Sequence, residues 1–140
     1  MKLSKAERVK KFGEVFTPVK TVREMCDILE AESPGCFEPE RTFLEPTCGT
    51  GAFVLKILRR KFERCKCRLD YRIALESVYG FEIQADNVAK CIENVKDLCI
   101  EYFWPTQGEL QIINDHIIQC DGLKVMKMLA EVETDAKENP

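Results

Sequence analysis

The apolar positions of the chain follow two rhythms that change from segment to segment. Residues 3–12 pattern as a short basic helix, and the GEVFTP after it is a loop punctuated by Gly13 and Pro18. From there Val19, Val22, Met25, Cys26 and Leu29 recur at helical spacing, which predicts a helix with one buried face. Thr17 is expected to be its N-cap and Pro18 its first residue. SPGCFEPE, residues 33–40, is a turn-rich connector. Residues 42–45 read as a strand, and 52–65 as a helix that turns Phe53, Ile57, Leu58 and Phe62 inward. Residues 70–77 add a helical segment, VYGFE at 78–82 a second strand, and 85–103 an amphipathic helix stopped by Trp104 and Pro105. HIIQCD at 116–121 is a third strand, GLKVMKMLA a helical turn or two, and residues 131–140 an acidic tail expected to be disordered.

Strands alternating with helices predict an α/β fold, a parallel sheet with right-handed crossovers and flanking helices. Ligands of such sheets sit beyond the carboxyl ends of the strands. Glu45, Glu82 and Asp121 fall at the three strand ends, and that coincidence is the most informative feature of the chain.

Composition adds bounds rather than detail. With 140 residues, 45% hydrophobic and 32% charged, the chain suits one globular domain over residues 1–130: a helical segment at 1–40 and an α/β core at 41–130. No apolar run is long enough to span a bilayer, and MKLSKAERVKK has no apolar signal core behind it, so the expected location is the cytoplasm. The eight cysteines are then expected as reduced, small buried side chains; Cys65 and Cys67 form a C-x-C pair, but His116 is remote and no metal is expected. Behind the net charge of −3, residues 2–11 carry five basic groups against one acid, and residues 59–72 seven against two. Either segment could meet nucleic-acid phosphates, although solvated helix faces account for each taken alone.

The stretch FLEPTCGTGAF, residues 43–53, runs from the first strand into a turn containing Gly49 and Gly51. Without Cβ atoms these glycines let the chain bend sharply and let backbone amides at the following helix approach a ligand. No G-K-[ST] follows, which excludes a P-loop, and Val54 stands where a G-x-G-x-x-G fingerprint needs its third glycine. The acid at Glu45 would repel a pyrophosphate but attract an ammonium or sulfonium, and S-adenosylmethionine carries both. Glu82 is placed to accept from two ribose hydroxyls, and Asp121 from an adenine amino group. Helix caps or surface ion pairs are the ordinary alternatives for Glu45 and Glu82, and an Asp-Gly turn for Asp121.

These segments together resemble the cofactor-binding N-terminal part of the adenine-N6 DNA methyltransferases of restriction-modification systems. Phe16, Thr17 and Pro18 resemble the segment that meets the methionine end of the cofactor. Glu45, Pro46, Thr47, Cys48, Gly49, Gly51 and Phe53 resemble the family's D-P-A-C-G-S-G-x-F signature, with glutamate for aspartate. Glu82 and Ile83 match the ribose-binding strand end, and Asp121 and Leu123 the strand end that meets adenine. The resemblance implies a Rossmann-like fold, S-adenosylmethionine as cofactor and DNA as substrate. The family's [DNS]-P-P-[YFW] motif, which holds a flipped adenine, does not occur here; Asn139 and Pro140 match half of it without the apolar strand that should deliver it. The family's strand order of 3-2-1-4-5 would leave the first strand here at an edge, open to self-association or to a second protein chain with catalytic and target-recognition parts. Three functions follow: a cofactor-binding component of a methyltransferase, a non-catalytic module that binds cofactor or DNA, and a small Cys-rich nucleic-acid-binding protein.

Overall fold

A computed structural model of the chain describes residues 3–12 and 16–138. The elements run α1 (Lys5–Phe12), α2 (Val19–Glu32), β1 (Phe43–Glu45), α3 (Ala52–Phe62), α4 (Arg68–Glu76), β2 (Val78–Glu82), α5 (Ala85–Tyr102), α6 (Gln107–His116), β3 (Ile117–Gln119) and α7 (Gly122–Glu138). Among the described residues the sheet has three parallel strands in the order β1-β2-β3. Phe43 lies opposite Val78, Glu45 opposite Gly80, Gly80 opposite Ile117 and Glu82 opposite Gln119. This arrangement is compatible with a Rossmann-like fold, and β1 lies at an edge.

The two-residue period of the strands sorts the sheet into unlike faces. Val78, Gly80 and Glu82 alternate into burial along β2, level with Ile117 of β3. Helices α3 and α5 pack on this face and on each other, and α2 packs outside α3. Val54, Ile57, Leu58, Val95 and Leu98 fill the space between helices and sheet. At its lower end Phe62 meets the rings of Tyr71, Tyr102 and Phe103 edge-on at 5.3, 5.4 and 5.8 Å. Cys26, Cys36, Cys48, Cys91 and Cys99 are buried in the same core and act as small apolar side chains.

Several elements differ from the sequence reading. Pro18, extended at φ −60°, ψ 146°, is the N-cap of α2, and its carbonyl accepts the Val22 N–H; Thr17 stands outside the helix. Val22 and Cys26 pack inward, whereas Val19, Met25 and Leu29 are exposed, because α2 rests on α3 by a narrow stripe. Helix α6 had no counterpart in the sequence reading. Its Glu109 sits inside, only 1% exposed, and takes ion pairs from Arg68 at 2.5 Å and Arg72 at 2.7 Å and a hydrogen bond from Thr106. Burial alone would raise the Glu109 carboxyl, yet these donors hold it at about 2. The acidic end expected to be disordered continues α7 to Glu138; its Leu, Met, Ala, Glu and Lys residues are strong helix formers.

Lys61 is fully buried beneath the connector, where its ammonium donates to the carbonyls of Glu38 (2.8 Å), Pro39 (3.2 Å) and Arg41. It fastens the turn-rich segment that delivers the chain to β1. Burial pushes its pKa down to about 8.

Candidate functional site at the strand ends

Three turns meet where the strands finish. The Cys48 N–H donates to the Phe81 carbonyl at 2.8 Å, tying the β1 turn to the end of β2. The Cys120 N–H donates to the Glu82 carbonyl at 3.0 Å, tying the β3 turn to the same place. Gly122 closes the group, for its Cα lies so near the Pro46 carbonyl and Phe81 that a Cβ would overlap both.

The β1 turn needs its glycines. Gly49 has φ +56° and Gly51, the N-cap of α3, has φ +105°, both in the region that side chains disfavour. A Cβ on Gly51 would stand 2.8 Å from Cys91 Sγ, so α5 also passes too close for one. The Asn94 amide on α5 donates to the Thr50 carbonyl at 2.9 Å and steadies the turn from outside. A hydrogen bond with Cys91 and burial push the Cys48 thiol up, leaving it neutral. Phe16 lies on this turn, with ring atoms 3.4 and 3.5 Å from where a Gly49 Cβ would be.

Each of the three acids treats its own turn alike. Glu45 Oε1 accepts the Thr47 N–H at 3.0 Å and its hydroxyl at 3.2 Å. Glu82 Oε2 accepts the Gln84 N–H at 2.6 Å, and Asp121 Oδ1 accepts the Lys124 N–H at 3.1 Å at the start of α7. One oxygen fixes the carboxylate, and the other has no hydrogen-bond donor among the described residues. Glu45 and Glu82 therefore hold the N–H two residues on within their own turns and cap no helix, whereas Asp121 accepts at the first turn of α7. Glu82 is the most enclosed at 8% exposure. Ile83 and Leu123, both exposed, flank the two acids on the later strands. Phe53 is instead packed partly into the core, and Pro46, Thr47 and Cys48 shape the turn. Asn139 and Pro140 lie outside the described residues, as do Gly13, Glu14 and Val15 of the GEVFTP segment.

Sequence reasoning missed one long-range pair. Arg8 of α1 clasps Asp86, in the first turn of α5, through Nη1 to Oδ2 at 2.6 Å and Nη2 to Oδ1 at 3.0 Å. The guanidinium holds the Asp86 carboxyl below its ordinary value. The residues are 78 apart in the chain, so no local signal could have paired them.

The second basic segment turns inward. Arg59 pairs with Glu101, Arg60 with Asp27 and Glu30, Arg64 with Glu30 and Glu38, and Arg68 and Arg72 with Glu109. These arginines bind α3 and α4 to α2, α5 and α6, which supports the structural reading of residues 59–72 over a phosphate-binding one. Among the described residues no group of three or more His, Cys, Asp or Glu could hold a metal ion, and no helix is long and apolar enough to cross a membrane.

The architecture defines a parallel α/β sheet with a polar site at its strand ends. The chain is similar to the Type II methyltransferase M.VspI of Vibrio sp. (strain 343), with 27% identity over 89 residues. The match covers 64% of this chain and 18% of that protein, so the chain spans a small part of its relative. The similarity gives the chain a distant methyltransferase relationship. No protein-family model matches it, and no solved structure does.

Proposed function

We propose that the chain is the S-adenosylmethionine-binding component of a DNA adenine-N6 methyltransferase, completed by a second chain that supplies an N-P-P-Y-type catalytic part. The observation that carries this reading is the set of three strand-end carboxylates, each oriented by its own turn and each keeping one oxygen for a ligand. Glu45 offers its oxygen to the ammonium of the methionine end, Glu82 to the ribose hydroxyls and Asp121 to the adenine amino group. Gly49 and Gly51 keep the turn open to the ligand, Phe16, Thr17 and Pro18 border the methionine end, and Ile83 and Leu123 line the adenine. The donor set fits the group, since acids that repel phosphate suit a cationic, hydroxyl-rich molecule. When bound, the cofactor supplies an electrophilic methyl on sulfur; the residues of this chain bind and orient it, and positioning is the main source of rate in such a transfer.

Two features favour a partner chain. The edge of β1 is available for a further strand, and the far face of the sheet carries exposed Leu44 and Ile118. DNA contact belongs to that assembly, because the arginines of residues 59–72 are taken up by internal ion pairs. Self-association through the same edge would compete with the partner.

Calorimetry with S-adenosylmethionine tests the proposal. Binding should be lost in Gly49→Val, whose branched side chain cannot take φ +56°. Glu45→Gln should weaken it by about 1 kcal/mol, the scale of one charge-assisted hydrogen bond. The isolated chain should transfer no labelled methyl group to DNA. Absence of binding at millimolar cofactor would refute the component reading, and binding without turnover beside every candidate partner would favour a non-catalytic module.

A further inference from the structure

Helix α7 leaves the domain almost as soon as it begins. Gly122 is buried against the Pro46 carbonyl and Phe81, and Val125 is half-buried, but every residue from 126 to 137 is exposed. A helix of 17 residues in water owes most of its stability to the packing of one face, and among the described residues the domain covers only the first turn of this one.

The face needed for packing runs along the whole helix. Val125, Leu129, Val132 and Ala136 recur at spacings of four, three and four, which places them in one stripe, and Met128 widens it. Leu129 is 50% exposed, Met128 57% and Val132 63%. Lys127, Glu131 and Thr134 hold the opposite side.

Two properties of α7 say what covers the stripe. The spacing reads the same in both directions, so a second α7 laid antiparallel about a two-fold axis sets Leu129 opposite Val132 and Val125 opposite Ala136, with no seam residue left over. The charges are divided along the helix: residues 122–130 carry Lys124 and Lys127 and no acid, whereas residues 131–137 carry Glu131, Glu133 and Asp135 against Lys137 alone. Antiparallel copies lay the lysine-bearing half of each helix along the acidic half of the other and oppose the two helix dipoles, whereas parallel copies would set acids beside acids. Leu44, Tyr79, Phe81 and Ile118 of the open sheet face are uncharged and match no such division.

We infer that α7 is a homodimerisation helix, pairing antiparallel with α7 of a second copy of this chain through Val125, Leu129, Val132 and Ala136. The pairing requires neither the cofactor nor a catalytic partner, so it stands apart from the function proposed above. A seam of this length belongs with the weak interfaces, which form and part with concentration.

Sedimentation equilibrium of the full 140-residue chain tests the pairing. Between about 5 and 500 µM, the range of a weak interface, the average mass should rise from 16.1 kDa toward twice that value. Amide exchange in residues 126–137 should slow over the same range. The double variant Leu129→Gln, Val132→Gln, at exposed positions, should weaken association about ten-fold or more with the unfolding temperature unchanged. At low salt the double variant Lys124→Glu, Lys127→Glu should weaken it about five-fold, and the difference should vanish at high salt. A mass that stays at 16.1 kDa, or α7 exchange that does not vary with concentration, would overturn the pairing and leave α7 to a different protein or to its own sheet. Association unchanged in Leu129→Gln, Val132→Gln would overturn it in favour of another surface such as the edge of β1. Association unchanged in Lys124→Glu, Lys127→Glu would overturn the antiparallel order.

Discussion

The two faces of the sheet are built from neighbouring residues and have opposite fates. On one face Val78, Gly80 and Ile117 are sealed under α3 and α5. On the other, Leu44 and Ile118 are exposed, Tyr79 and Phe81 are half-buried, and the start of α7 lies against Phe81. The cause is topological. The strands are laid down in one direction, β1 to β2 to β3, and successive right-handed crossovers in one direction put their helices on the same side. A sheet that later reversed direction from β1 would place helices on the second face, and this chain has no such reversal among its described residues. The apolar side chains of the open face are therefore those of a two-sided sheet carrying one layer, and α7 also leaves Leu123, Met126, Leu129 and Val132 exposed.

Two adjacent isoleucines test the difference between the faces. Ile117→Asp puts a carboxylate into the closed core and should cost more than about 4 kcal/mol, enough to prevent folding. Ile118→Asp, one residue on and facing outward, should change stability by less than about 1 kcal/mol in urea titrations. Equal destabilisation by both would mean that the second face is closed after all.

A smaller effect is expected on the closed side. The folded carboxyl of Glu109, at about 2, lies below its ordinary 4.5. Its contribution is thus fully present above about pH 4.5 and is lost as pH falls toward 2. Since Arg68 and Arg72 are half exposed, solvent screening reduces this to about 1–2 kcal/mol. Acid titration of unfolding free energy should show the loss in the wild type and not in Glu109→Gln.

The parts of this fold legible in the sequence are those with short-range causes. The period of two in VYGFE and of three to four in residues 85–103 gave β2 and α5 to within a residue. Helix α6 escaped because Glu109, a charged residue, occupies an inward position and breaks the apolar period; its arginine partners stand 41 and 37 residues earlier. Arg60 of α3 and Arg64 just after it were hidden for the same reason, since they meet acids 30 to 34 residues away. At the site, the acids could be placed because strand ends are local features, and the glycines because their spacing marks a turn. The hydrogen bonds from each acid to its own turn are local, whereas the Arg8–Asp86 pair depends on tertiary structure alone.

In the proposed function a ligand with the chemistry of S-adenosylmethionine sits on the three strand ends. The most direct test is a titration of the isotopically labelled protein with S-adenosylhomocysteine, followed by amide chemical shifts. Saturable changes are expected at Thr47, Gly49, Gly51, Gln84, Asp121 and Gly122, with the Phe62 and Glu109 clusters unmoved. Changes centred on the groove between α3 and α5, around Arg59 and Asp97, or no change at millimolar ligand, would contradict it.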